Sequence, residues 1–86
     1  LERVVAQRYE DRPEGSYTTK LFDAGVKRIA QKVGEEGVEA ALAAATGDTD
    51  ELANESADLL FHLLVLLRES GLTLSDVVKT LEDRHG

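Results

Sequence analysis

Apolar residues recur along this chain at the three- and four-residue intervals of helices, and the stretches are separated by Gly or Pro. Residues 1–10 carry a narrow stripe with Val4 and Val5, which stops at Asp11-Arg12-Pro13-Glu14-Gly15 because Pro disfavours helix before it and Gly permits a turn. Ser16 is placed to cap a short helix over about 17–23, and Gly25 marks a break. Val26, Ile29, Ala30, Val33, Gly37, Ala40, Ala41 and Ala44 then predict a long helix over about 26–46, whose inner face of Gly and Ala would let a neighbour approach closely. Asp48 with Glu51 resembles a capping box opening a further helix to about residue 69, with Gly71 at its left-handed end. Thr73 to Asp76 begins a last helix, with Leu72 packing back as a staple and Val77, Val78 and Leu81 on the buried side.

The expected architecture is therefore all-α, a single domain over residues 1–86 in which a central helical hairpin turns at Gly47. Two acidic clusters sit symmetrically about that turn: Glu35, Glu36 and Glu39 before it, Glu55 and Asp58 after it. At 1.5 Å per residue both lie roughly 14 Å from the turn, so folding the arms together brings the carboxylates to one height. None of Glu35, Glu36, Glu39 or Glu55 has a Lys or Arg four residues further on, the pairing that usually relieves exposed helical acids. The second cluster also runs into Leu59-Leu60-Phe61-His62-Leu63-Leu64-Val65-Leu66-Leu67, apolar on nearly every face, so its acids are expected to be partly desolvated. Facing carboxylates in that setting repel and take up protons unless a cation sits among them. Mg²⁺ suits them best, with Mn²⁺ as a substitute, being a hard ion that prefers carboxylate oxygen and keeps waters that a phosphate can replace. The same apolar run exceeds what the short helices of one small chain can cover, which predicts a homodimer packed through that helix.

Composition narrows the partners. A net charge of −7 argues against a nucleic-acid backbone as ligand, since that needs clustered Lys and Arg. The absence of cysteine excludes disulfides and thiolate metal sites and fits a cytoplasmic setting. No apolar run is long enough to span a bilayer, and no signal-peptide pattern opens the chain, so no membrane partner is expected. A polyphosphate remains possible, because a dication supplies positive charge and Lys20, Lys27, Arg28 and Lys32 lie before the first acids.

The spacing E-E-x-x-E, fifteen residues, then E-x-x-D resembles the signature of the all-α nucleoside triphosphate pyrophosphohydrolases, the MazG-like superfamily. Within it, Arg12 to Phe22 with Ser16-Tyr17-Thr18-Thr19-Lys20-Leu21, then Lys32-Val33-Gly34-Glu35-Glu36, then Glu55 to Leu67, resemble the phosphoribosyl-ATP pyrophosphohydrolase family nearly end to end. That resemblance implies hydrolysis of phosphoribosyl-ATP to phosphoribosyl-AMP and pyrophosphate, the second step of histidine biosynthesis. It also implies possible fusion, as the C-terminal half of a bifunctional chain with phosphoribosyl-AMP cyclohydrolase.

Glu36 and Glu39 share one helix face, as do Glu55 and Asp58, and these four are the expected metal ligands. Glu35 lies at the edge, as a ligand to a second ion or as the acceptor of a proton from water. Lys32, one turn before Glu36, is placed to meet departing pyrophosphate. Ser16, Tyr17, Thr18 and Lys20 form a polar helix start suited to phosphate or ribose, with capping as the alternative for Ser16 and a core aromatic for Tyr17. His62, four residues from Asp58, can orient that carboxylate. Rival readings are a house-cleaning dNTP pyrophosphatase, a di-iron bundle, which would require Glu-x-x-His where the chain has Asp58 and His62 one residue too far apart, and a non-catalytic dimerisation domain.

Overall fold

The computed structural model describes all 86 residues as five helices without strands: α1 (Glu2–Asp11), α2 (Tyr17–Ala24), α3 (Val26–Ala45), α4 (Thr49–Glu69) and α5 (Leu74–His85). The shortest dimension is 21 Å, about two helix diameters, so the molecule is two helix layers thick. The α3–α4 hairpin is its backbone, and α1 and α2 pack across the end away from the turn.

The turn of the hairpin is set by local chemistry. At the end of α3 the Gly47 amide donates to Ala44 O at 3.1 Å and the Asp48 amide to Ala43 O at 3.0 Å, the paired bonds of a Schellman motif. The motif needs a left-handed residue, and Gly47 supplies it at φ 76°. Asp48 then caps α4 by accepting from the Glu51 amide at 3.0 Å. Only that half of the expected capping box forms. The same pair of bonds ends α4, where Gly71 N donates to Arg68 O and Leu72 N to Leu67 O, and Thr73 with Asp76 makes a complete capping box for α5.

Val5, Leu21, Phe22, Ile29, Leu64, Val65 and Leu67 form the core, with Tyr9, Phe61, Leu63, Leu66, Leu74 and Val77 packed around it. Most of the apolar run on α4 is thus covered within one chain, contrary to the expectation that it exceeds what the short helices can cover, and Leu60 is the exposed exception. The face that α3 turns inward carries Ile29, Glu36, Ala40 and Ala43, rotated from the predicted one: Val26, Ala30, Ala41 and Ala44 are exposed. Ala contributes little burial energy, so the larger Ile29 and the α4 leucines decide the rotation. A Cβ at Gly34 or Gly37 would meet nothing within 4 Å, so neither glycine is there for a close approach inside this chain. On α5 only Leu74 and Val77 reach the core, while Leu72, Val78 and Leu81 are exposed, contrary to the predicted staple and buried face. The helix is held at its start instead, where Glu2 accepts from the Leu74 amide at 2.7 Å.

Candidate active site

Because α3 and α4 are joined by a tight turn, residues equally distant from it face each other. Glu36, Glu39 and Glu55 each offer a carboxylate oxygen, all within 4.8 Å of one another. Glu36 is buried at 6% exposure, Glu55 is half-buried and Glu39 lies open to solvent, so the trio forms a cleft with a closed floor.

The chemistry of the trio is strained without a counter-charge. As a carboxylate, Glu55 leaves Oε2 buried with no donor. Its pKa is pushed up from 4.5 to about 8, mainly because a proton held there is shared with Glu39, then with Glu51 and Glu36, with burial and the Glu39 charge adding to the effect. Neither Glu39 nor Glu55 belongs to an ion pair. Three converging carboxylates, one of them with a buried oxygen that lacks a donor, fit a small hard dication.

Glu51 joins this cluster without having been predicted. Its position four residues before Glu55 carries that signal in the sequence, but Glu51 reads equally well as the second half of a capping box. Together with Glu39, Leu42, Ala43, Thr46, Asp48 and Glu55 it lines an open cleft of about 310 Å³ at the hairpin's turn end.

The other predicted residues sort into two groups, the first beside the acids. Asp58 is exposed and stands outside the trio. Glu35 is exposed and turned sideways, accepting from Gln31 Nε2 at 2.9 Å and lying 3.8 Å from Lys32 Nζ. Lys32 also approaches Glu36 at 3.5 Å, so the first acidic cluster does have a cation beside it, one turn upstream rather than downstream. That relief stops at Glu36 and leaves Glu39 and Glu55 without a cationic partner.

The second group lies at the start of α2. Ser16 caps the helix, accepting from the Thr19 amide at 3.4 Å, and takes a second bond from Arg8 Nη1 at 3.0 Å, which ties α1 to the loop. Thr18 is buried, and Lys20 is exposed. Tyr17 is half exposed rather than a core aromatic, with its hydroxyl 2.8 Å from His62 Nε2. His62 is buried at 5% exposure, and its Nδ1 lies 2.7 Å from the backbone carbonyl of Asp58. The expectation that His62 orients the Asp58 carboxylate is corrected: a carbonyl only accepts, so Nδ1 carries the proton, and in the neutral ring Nε2 accepts from the Tyr17 hydroxyl.

Comparison with known proteins follows the same line. The chain matches the profile of the family described as phosphoribosyl-ATP pyrophosphohydrolase over residues 1–85. It is 62% identical over 85 residues to the histidine biosynthesis bifunctional protein HisIE of Xanthomonas axonopodis pv. citri (strain 306), covering 99% of this chain and 41% of that protein. Its identity to the protein of that name from Vibrio cholerae serotype O1 is 59%, over 99% of this chain and 40% of the relative. The Photobacterium profundum counterpart is 60% identical with 99% and 41% covered. The chain therefore spans about two-fifths of the length of the curated relatives it matches.

Proposed function

This chain belongs to the phosphoribosyl-ATP pyrophosphohydrolase family, and on that premise we propose that it hydrolyses phosphoribosyl-ATP to phosphoribosyl-AMP and pyrophosphate, within histidine biosynthesis in the cytoplasm. The observation that carries the reading is the carboxylate trio: Glu36, Glu39 and Glu55 within 4.8 Å, with a buried Glu55 oxygen lacking any donor. That arrangement is unfavourable by itself and favourable around Mg²⁺ or Mn²⁺. Asp58, one turn beyond Glu55, is the proposed fourth ligand.

When bound, the dication supplies charge neutralisation for a polyphosphate and a water that loses its proton more easily. The protein's own groups supply the rest. Lys32 stands between Glu35 and Glu36, where its ammonium offers hydrogen bonds to departing pyrophosphate. Glu35, at the rim, takes the proton as water adds to phosphorus and the bridging oxygen leaves with the electrons of the broken P–O bond. Ser16 and Lys20 at the α2 start serve phosphate and ribose, Lys20 as an exposed cation, whereas the buried Thr18 is out of reach of a ligand. Positioning and neutralisation are the main contributions expected for an electrophile surrounded by negative oxygens.

The working unit is proposed to be a homodimer. Val38 and Leu42, at 61% and 60% exposure, form an unpartnered apolar pair one turn apart on α3, with Leu42 at the edge of the acidic cleft, and Leu60, Val78 and Leu81 add further exposed apolar area.

Phosphoribosyl-ATP and a panel of dNTPs assayed side by side, with and without Mg²⁺, test the activity. Release of pyrophosphate from phosphoribosyl-ATP, abolished by chelation, is expected. Preference for a dNTP would favour the house-cleaning activity, and no stoichiometric Mg²⁺ or Mn²⁺ binding by calorimetry would leave the acids merely solvated.

A further inference from the structure

The Tyr17–His62 pair lies along the hairpin from the proposed catalytic residues, and the hydrolytic step above uses neither side chain. His62 follows Glu55 by seven residues on α4, two turns along the same face and about 10 Å further from the hairpin turn. The register that sets Glu39 against Glu55 puts Lys32, seven residues back on α3, level with His62. The acids, Lys32 and the Tyr17–His62 pair therefore form a row along the hairpin. Its length is comparable with the reach of a nucleotide from its α-phosphate to its purine.

Tyr17 is built as a flat surface rather than as a packed core ring. Phe61 backs it in a stacked arrangement, with centroids 6.2 Å apart and planes at 27°, and the His62 ring meets it edge-on at 5.8 Å and 86°. Yet the residue stays 50% exposed. Its hydroxyl is anchored through His62 to the Asp58 carbonyl, on the helix that carries Glu55. An exposed ring fixed on one side by a second aromatic and at its tip by a buried imidazole loses little freedom when a planar ligand settles on it.

We propose that Tyr17 is the stacking platform for the adenine of the nucleotide, and that His62 is a positioning residue that holds the ring at the correct distance from the acids. This rests on the hydrolase reading above and extends it by naming the specificity-determining contact to the base. The stack reads the π-face, and the triphosphate points back along the hairpin towards Lys32 and the carboxylates.

Kinetics and calorimetry separate the two levels of the argument. Tyr17→Leu removes the ring at an exposed position, and KM for phosphoribosyl-ATP should rise roughly 10- to 100-fold, the effect of losing one base–aromatic stack, with kcat changed far less. Tyr17→Phe keeps the ring but frees its tip, so a smaller rise in KM is expected, matched by His62→Gln. In calorimetry, AMP should bind the wild type and lose affinity with Tyr17→Leu, whereas pyrophosphate binding in Mg²⁺ should be unaffected. Wild-type protein that binds AMP through Tyr17 but fails to hydrolyse phosphoribosyl-ATP would overturn the activity and leave the platform standing. Active Tyr17→Leu enzyme with unchanged KM and unchanged AMP affinity would overturn the platform alone. Should His62→Gln lose its helical circular dichroism, the Tyr17→Phe variant decides the tether, and equality of its KM with wild type would refute it.

Discussion

Occupation of the acidic cleft by a dication should expel a proton, and the amount follows from Glu55. With its pKa near 8, about 0.9 of the Glu55 side chains carry a proton at pH 7, and a metal ligand must give that proton up. Mg²⁺ binding at pH 7 should therefore release about 0.9 proton from this group. The apparent dissociation constant should fall about ninefold from pH 6 to pH 7 and about fivefold from pH 7 to pH 8, then level off. Titration calorimetry in two buffers of different ionisation enthalpy, such as PIPES and Tris, counts the protons directly. Glu55→Gln carries no such proton, so whatever metal it still takes up, more weakly for want of a ligand, should enter without that release. Metal uptake at pH 7 without proton release, or affinity independent of pH between 6 and 8, would refute the account of Glu55. The same shift acts on the metal-free fold. Glu55 loses its proton near 4.5 when unfolded and near 8 when folded, so the folded state holds the extra proton between those values. Its contribution is fully present below about 4.5 and is lost as pH rises through about 8. The metal-free melting temperature should therefore decline over that window, and Mg²⁺ should restore it at the alkaline end.

Other substitutions probe separate parts of the structure. Glu39→Gln removes charge while keeping shape, so turnover should vanish with circular dichroism unchanged, and near-normal activity in saturating Mg²⁺ would count against Glu39 as a ligand. Ile29 is fully buried where α3 meets the core, so Ile29→Ala should cost about 2–5 kcal/mol in urea unfolding; a loss well under 1 kcal/mol would mean that the site is not packed as described. Sedimentation velocity at micromolar concentration should show a dimer, and replacing both Val38 and Leu42 with Glu should produce monomers. A wild-type monomer at that concentration would remove the homodimer from the proposal.

The helices, their breaks and the hairpin were readable in the chain because they depend on local chemistry. Gly47 and Gly71 supply left-handed closures, Ser16, Asp48 and Thr73 supply caps, and apolar periodicity fills the spaces between them. The meeting of Glu36, Glu39 and Glu55 was also legible, because a tight turn between long helices converts equal sequence distance from Gly47 into equal height. Helix rotation and lateral partners were not. A face of Ala and Gly gives little preference for one rotation over another, so the inward face of α3 was settled by the bulk it met on α4. Helix α5 shows the same limit: its apolar stripe is plain in sequence, but only contact with α1 and the core decides that Leu74 and Val77 are covered and Leu81 is not. Long-range pairs, such as Tyr17 with His62 across 45 residues, depend on where α2 docks. Local dihedral preferences and short-range bonds are thus properties of the chain itself, whereas the partner of a polar side chain belongs to packing, which exists only once the helices have come together.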